Sequence, residues 1–195
     1  MKKSNQTSRR QFLKTSSAAA VGLSFLGPTL PKSVLGANNR IRVGFIGVGN
    51  RGTQLLQAFM ANKDAEIAAL CDVYEPYTTR DMASMDERFL KVGKIPKMGE
   101  SFPNKVQKFN DFRKLLEQKD IDAVCIATPD HWHAIQMIQA VQAGKDVYVE
   151  KPLTITLHEG RKMVEVWQMS KQIVQVGLNR RGSSIYQKLA KEIPE

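Results

Sequence analysis

Three short segments hold residues whose types and spacing can do chemistry. The first is Gly47-Val48-Gly49-Asn50-Arg51-Gly52, a G-x-G-x-x-G pattern. Its first glycine permits a tight turn, its second lets backbone approach a pyrophosphate, and its third lets a helix pack closely on a strand. A helix starting there turns N–H groups and a partial positive charge toward phosphate oxygens. Asp72 follows 20 positions after Gly52, where a carboxylate accepts ribose hydroxyls and repels a 2′-phosphate. Together they predict a dinucleotide site that prefers NAD. NADP stays open, because Arg80 is near enough in the chain to offer a phosphate contact. The other two segments are Ala127-Thr128-Pro129-Asp130-His131-Trp132-His133 and Glu150-Lys151-Pro152.

These segments can meet only if the fold brings them to one edge. From residue 40 onward, short apolar runs alternate with amphipathic stretches. Strands are predicted over residues 41–46, 66–71, 106–109, 121–127, 146–149 and 173–176. Helices are predicted over 51–61, 77–92, 111–118, 131–143 and 157–169, with another from about 183. Asp111 caps one of them and Gly144 stops another. Pro96, Gly99 and Pro103 make residues 94–104 a loop. Continuous apolar strands alternating with helices mean a parallel sheet covered on both faces. Right-handed crossovers make it the α/β doubly wound sheet of a Rossmann dinucleotide-binding fold. All three segments then lie at the carboxyl ends of strands one, four and five, where such sheets take ligands.

The same strand order decides the cysteines. Cys71 and Cys125 sit on the strands flanking the first, two spacings or about 10 Å apart, beyond the ~7 Å reach of a disulfide. Two buried, unpaired thiols are expected. His131 and His133, two apart at a helix start, would point to different sides, so no metal site is expected.

The chain has 195 residues, 42% of them apolar and 25% charged, an ordinary globular balance that excludes wholesale disorder. Its 29 Lys and Arg against 19 Asp and Glu give a charge of +10, which invites a nucleic-acid reading. The position of the charge argues otherwise. Residues 1–37 carry Lys2, Lys3, Arg9, Arg10, Lys14 and Lys32 and no acid. A short apolar stretch from residue 16 to 27 follows, too short to span a membrane. Charged, apolar and small-residue regions in that order make an export leader, and Ser8-Arg9-Arg10-Gln11-Phe12-Leu13-Lys14 resembles the twin-arginine (Tat) signal. That resemblance implies the Tat machinery as a partner, export to the periplasm, and passage in the folded state with cofactor already held. Beyond the leader, 23 basic residues face 19 acidic ones, which suggests neither a polyanion partner nor a membrane for the mature protein.

Taken together, the glycine pattern, the Thr128-Pro129-Asp130-His131-Trp132-His133 stretch and Glu150-Lys151-Pro152 resemble the glucose–fructose oxidoreductase / inositol dehydrogenase (Gfo/Idh/MocA) family. The resemblance covers residues 40–182, with the motifs in order and at the expected strand ends. It implies hydride transfer between a sugar or polyol hydroxyl and a nicotinamide cofactor. Gly47, Gly49, Asn50, Arg51, Gly52 and Asp72 would contact the dinucleotide. Thr128 and Pro129 would shape the pocket near the nicotinamide ribose, Trp132 would wall it or simply pack, and Glu150 would bind a ribose hydroxyl. Lys151 is implied as the catalytic lysine, its ammonium stabilising the alkoxide that develops on the substrate. His133 matches a family histidine and is a second catalytic candidate, with helix initiation as the plain alternative. Gln175, Asn179 and Arg180 match the segment leading to a second domain, Asn179 as a cofactor contact.

Three domains are expected: a leader over 1–37, the NAD(P)-binding domain over 38–182, and the start of a second α/β domain over 183–195. The family's second domain carries an Asp-x-x-x-His acid/base element and most substrate contacts. These residues alone should hold a dinucleotide and not turn over substrate, while the full-length protein is expected to self-associate. Two further functions fit the first domain: a glycosidase that oxidises its sugar transiently, and a non-catalytic dinucleotide binder.

Overall fold

A computed structural model describes residues 40–85, 87, 102, 105–178 and 183–193. The leader, the residues after 87 in the helix expected to reach 92, most of the 94–104 loop, Asn179 and Arg180 lie outside the described residues. Six strands form one sheet: β1 Ile41–Ile46, β2 Ala65–Cys71, β3 Gln107–Phe109, β4 Ala123–Ile126, β5 Asp146–Glu150 and β6 Val174–Gly177. All pairs are parallel, in the order β3-β2-β1-β4-β5-β6. The α-helices with both ends among the described residues are α1 Asn50–Met60, α2 Glu75–Thr79, α3 Phe112–Leu116, α4 His133–Gln142, α5 Leu157–Gln168 and α6 Ser184–Glu192. None of the described helices is long and apolar enough to cross a membrane.

The alternation of strand side chains builds two cores. Val43, Phe45, Ile67, Leu70 and Cys125 pack with Leu55 and Leu56 of α1 on one face. Ile46, Cys71, Val124, Ile126, Val147 and Val149 pack with α3, α4 and Met163 of α5 on the other. Both faces of the sheet are therefore covered, which is why its strands read as unbroken apolar runs. Each fully buried Leu, Ile or Phe side chain contributes roughly 1.5–3 kcal/mol through this burial.

Local chemistry sets the helix ends. Asp111 accepts the Arg113 N–H at 2.9 Å and caps α3. Thr156 and Glu159 form a reciprocal capping box at α5. Two expected helices come out differently. The one expected over 77–92 begins as the short α2 and is broken at Arg80, whose left-handed conformation (φ 60°) no helix continues. A 3₁₀ turn at Met82–Ser84 follows it. The one from 131 starts as a 3₁₀ turn at Asp130–Trp132, where the Trp132 N–H reaches back to the Pro129 carbonyl at 2.9 Å. Regular helix begins only at His133.

Candidate dinucleotide site

The turn from β1 into α1 is built by two glycines that no other residue could replace without displacement. Gly47 has φ +82°, and a Cβ there would lie 2.8 Å from backbone atoms of Ala127 and Thr128. A Cβ on Gly52 would collide with the Gly47 carbonyl oxygen. The loop is thus pressed between the first turn of α1 and the end of β4. Gly49 is the N-cap of α1, and no side chain caps that helix. Its first turn carries no acidic residue, so the helix field is left for a ligand anion.

Asp72 stands at the end of β2 and holds the loop in shape. One carboxylate oxygen accepts the Val48 N–H at 2.9 Å and the other the Tyr74 N–H at 3.0 Å. Each oxygen keeps lone-pair capacity for a ribose hydroxyl. Arg80 works from behind. Its Nη1 donates to the Val48 carbonyl at 3.3 Å and to Thr53 Oγ1 at 3.1 Å, while Nε and Nη2 have no partner among the described residues. Burial pulls this guanidinium down to about 10, against the pull of the Asp72 carboxylate, which favours the charge. Arg80 is 4% exposed and does not line the groove. The phosphate contact that its place in the chain left open is not what this side chain makes here: it braces the loop from the protein side.

A groove of about 800 Å³ opens in front of the loop. Gly47, Gly49, Asp72, Thr128, Pro129 and Trp132 line it, which brings residues from two of the three segments to Asp72. Thr128 Oγ1 donates to Gln136 Oε1 at 2.7 Å, and Trp132 meets Phe112 edge-on with ring centroids 6.3 Å apart. The groove also takes Val73, Tyr74, Tyr77, Asn110, Asp111, Phe112, Arg113 and Gln136, which sequence reasoning missed. The Arg113 guanidinium lies 4.7 Å over the Phe112 ring. No motif marks these residues. Asn110, Asp111, Phe112 and Arg113 join the site because β3 lies beside β2, so its exit loop borders the strand end next to Asp72.

Six expected site residues among the described ones fall outside the groove lining: Asn50, Arg51, Gly52, His133, Glu150 and Lys151. Arg51 and Glu150 face each other across the sheet end, Nε and Nη2 donating to Glu150 Oε1 at 2.9 and 2.7 Å. The Tyr148 hydroxyl donates to the same oxygen at 3.4 Å. Glu150 is 3% exposed, so this carboxylate is a buried anchor for α1. Lys151 is exposed at the end of β5. Asn50 opens α1 and takes a bond from Gln54 at 3.4 Å. His133, expected as a catalytic candidate, is corrected: it is 1% exposed and both ring nitrogens face backbone carbonyls. A ring so engaged presents no proton or lone pair to a substrate. His131 is exposed, on a different side, and Gln175 is exposed on β6. Cys71 and Cys125 are free and buried, on either side of β1 as expected. Among the described residues no group of His, Cys, Asp and Glu could hold a metal ion.

Residues 41–178 match the family described as "Oxidoreductase family, NAD-binding Rossmann fold" (GFO_IDH_MocA). The chain belongs to this family. A glycosyl hydrolase family 109 protein of Saccharopolyspora erythraea is 32% identical over 187 residues, 87% of this chain and 39% of that protein. An alpha-N-acetylgalactosaminidase of Shewanella oneidensis is 33% identical over 174 residues, 80% of this chain and 36% of that protein. The crystal structure of scyllo-inositol dehydrogenase from Lactobacillus casei, with bound NAD(H) and scyllo-inositol, superposes with a TM-score of 0.62 at 25% identity. That match covers 78% of this chain and 40% of the other. The Gfo/Idh/MocA chain described here therefore spans less than half the length of these relatives. What it contains is their NAD-binding Rossmann fold.

Proposed function

We propose that this protein is an exported oxidoreductase that moves hydride between a sugar or polyol hydroxyl and a nicotinamide cofactor. The observation that carries the reading is the cradle in front of α1: two sterically required glycines, an uncapped helix start, and an Asp72 carboxylate fixed by two N–H groups. These features fit a pyrophosphate and its adenosine ribose. Asp72 at the ribose end, with Arg80 turned away behind the loop, favours NAD over NADP. When bound, NAD supplies the hydride acceptor. Thr128, Pro129 and Trp132 line the groove at the end of β4 and hold the nicotinamide end in place. Lys151 donates a hydrogen bond to the reacting oxygen and stabilises its developing charge.

A second reading has its own support. The curated relatives named above are a family 109 glycosyl hydrolase and an alpha-N-acetylgalactosaminidase. In this reading the sugar is oxidised only in passing, a glycosidic bond breaks, and the cofactor shows no net change.

Residues 1–37 act as a twin-arginine leader that carries the folded protein to the periplasm, and 38–182 act as the cofactor domain. The acid-free run with Arg9 and Arg10 supports this. Replacing both arginines by lysine should leave the protein in the cytoplasmic fraction, and unchanged fractionation would defeat the leader assignment.

The experiment that tests the function is titration of full-length protein with NAD and NADP, followed by assay on scyllo-inositol and an aryl α-N-acetylgalactosaminide. NAD should bind about tenfold or more tightly than NADP, and Asp72→Ser should erase that preference. Net NADH with the polyol supports the first reading. Aryl release without net NADH supports the second. Absence of dinucleotide binding would sink both.

A further inference from the structure

His133 opens α4 in the interior, between the two loops that the proposed chemistry uses. Its Nδ1 lies 2.7 Å from the Pro152 carbonyl oxygen and its Nε2 lies 2.9 Å from the Thr128 carbonyl oxygen. Carbonyl oxygens only accept, so every proton the ring carries goes to one of these two loops. One loop follows β4 and lines the groove. The other follows β5 and carries Lys151.

The two loops are not equally secured. The β4 loop has further anchors, since Thr128 Oγ1 donates to Gln136 and the Trp132 N–H binds the Pro129 carbonyl. The β5 loop is tied at its far end, where Thr154, Ile155 and Thr156 bond to Glu159, but has fewer hydrogen bonds around Lys151. Pro152 has no N–H to give, and the Lys151 N–H stays within its own segment on Glu150 Oε2 at 3.2 Å. The Pro152 carbonyl is one residue beyond the lysine, and the imidazole grips it from the core.

We propose that His133 is the positioning residue for Lys151, its Nδ1–H donating to the Pro152 carbonyl and fixing where the ammonium stands beside the groove. This rests on the reading of Lys151 as the group that faces the substrate hydroxyl. Carbonyl-bound and 1% exposed, the ring needs no contact with substrate to matter. It acts through the loop, as buried hydrogen bonds behind a site commonly do.

Two substitutions separate the two ends of the ring. His133→Asn keeps an amide N–H near the Nδ1 position, and His133→Gln keeps one near Nε2. On the full-length protein, hydrogen–deuterium exchange should be followed in peptides covering residues 150–154 and 127–131, alongside NAD affinity. In the glutamine variant, exchange over 150–154 should rise about tenfold or more, with 127–131 within about threefold of the parent. The asparagine variant should rescue the loop, staying within about threefold in both peptides, and both variants should hold NAD within about threefold. Equal exchange in the two variants, a change confined to 127–131, or global unfolding of both overturns the proposal. If the parent protein binds no NAD, the site reading itself falls and takes this inference with it. If it binds NAD and the glutamine variant behaves as the asparagine one, the inference alone falls.

Discussion

The two ends of the sheet treat their polar groups in opposite ways. At the amino end, charges are matched among themselves. The Arg42 N–H binds Asp122 at 2.8 Å, while its guanidinium binds the Asp120 carbonyl and carboxylate at 2.6 and 2.9 Å and also Glu66. The buried Lys145 ammonium closes on the carbonyls of Gln118 and Ile121 at 2.6 and 2.8 Å. At the carboxyl end, polar groups are oriented but left with capacity. Asp72 is fixed by backbone N–H groups, α1 starts without a side-chain cap, and two Arg80 donors behind the loop have no partner among the described residues. The first arrangement spends its hydrogen bonds on stability. The second keeps them for a ligand, which is where open α/β sheets bind one.

That contrast can be broken from either end. The largest effect is expected at Gly52. An alanine there must displace α1 from the Gly47 carbonyl, and NAD affinity should fall about 100-fold or more, with a folding cost of about 1–3 kcal/mol. Calorimetric titration beside thermal melting checks this, and unchanged affinity would mean that the cradle is not the binding surface.

At the other end, Lys145→Met leaves two buried carbonyls without donors. Stability should drop by about 1–3 kcal/mol in chemical denaturation, with NAD affinity within about twofold of the parent. A large loss of affinity in this variant would erase the distinction between the two ends.

The smallest effect concerns the two thiols, Cys71 at the groove and Cys125 in the core. Burial, then the nearby Asp72 and Asp111 carboxylates, push the Cys71 thiol up to about 12. Burial also raises Cys125, with Glu150 adding to it. The thiolate is the reactive form, and both groups stay protonated below these values. At pH 8 neither should label with iodoacetamide in the native protein, and both should label in denaturant. Rapid native labelling of Cys71 would show that the end of β2 opens.

The sequence was most legible where local rules act. The doubly wound sheet followed from apolar runs alternating with helical stretches, because a strand buried on both faces tolerates few polar residues. The glycine turn was readable because steric exclusion at Gly47 and Gly52 permits no other residue. Caps at Asp111 and the stop at Gly144 were equally local. The shortened α2 was not readable, since the left-handed turn at Arg80 brings its side chain to the Val48 carbonyl and Thr53, far along the chain.

The site shows the same division. The sequence by itself determined the tight glycine turn from β1 into α1 and placed Asp72 at the end of β2, because both follow from local spacing. Only the tertiary structure decided that Glu150 is tied to Arg51, that Phe112 and Arg113 belong to the groove, and that His133 is turned inward. Each of those depends on elements distant in sequence meeting at one sheet edge. Spacing along a chain specifies a local turn, but which strand ends become neighbours is settled by how the whole sheet packs.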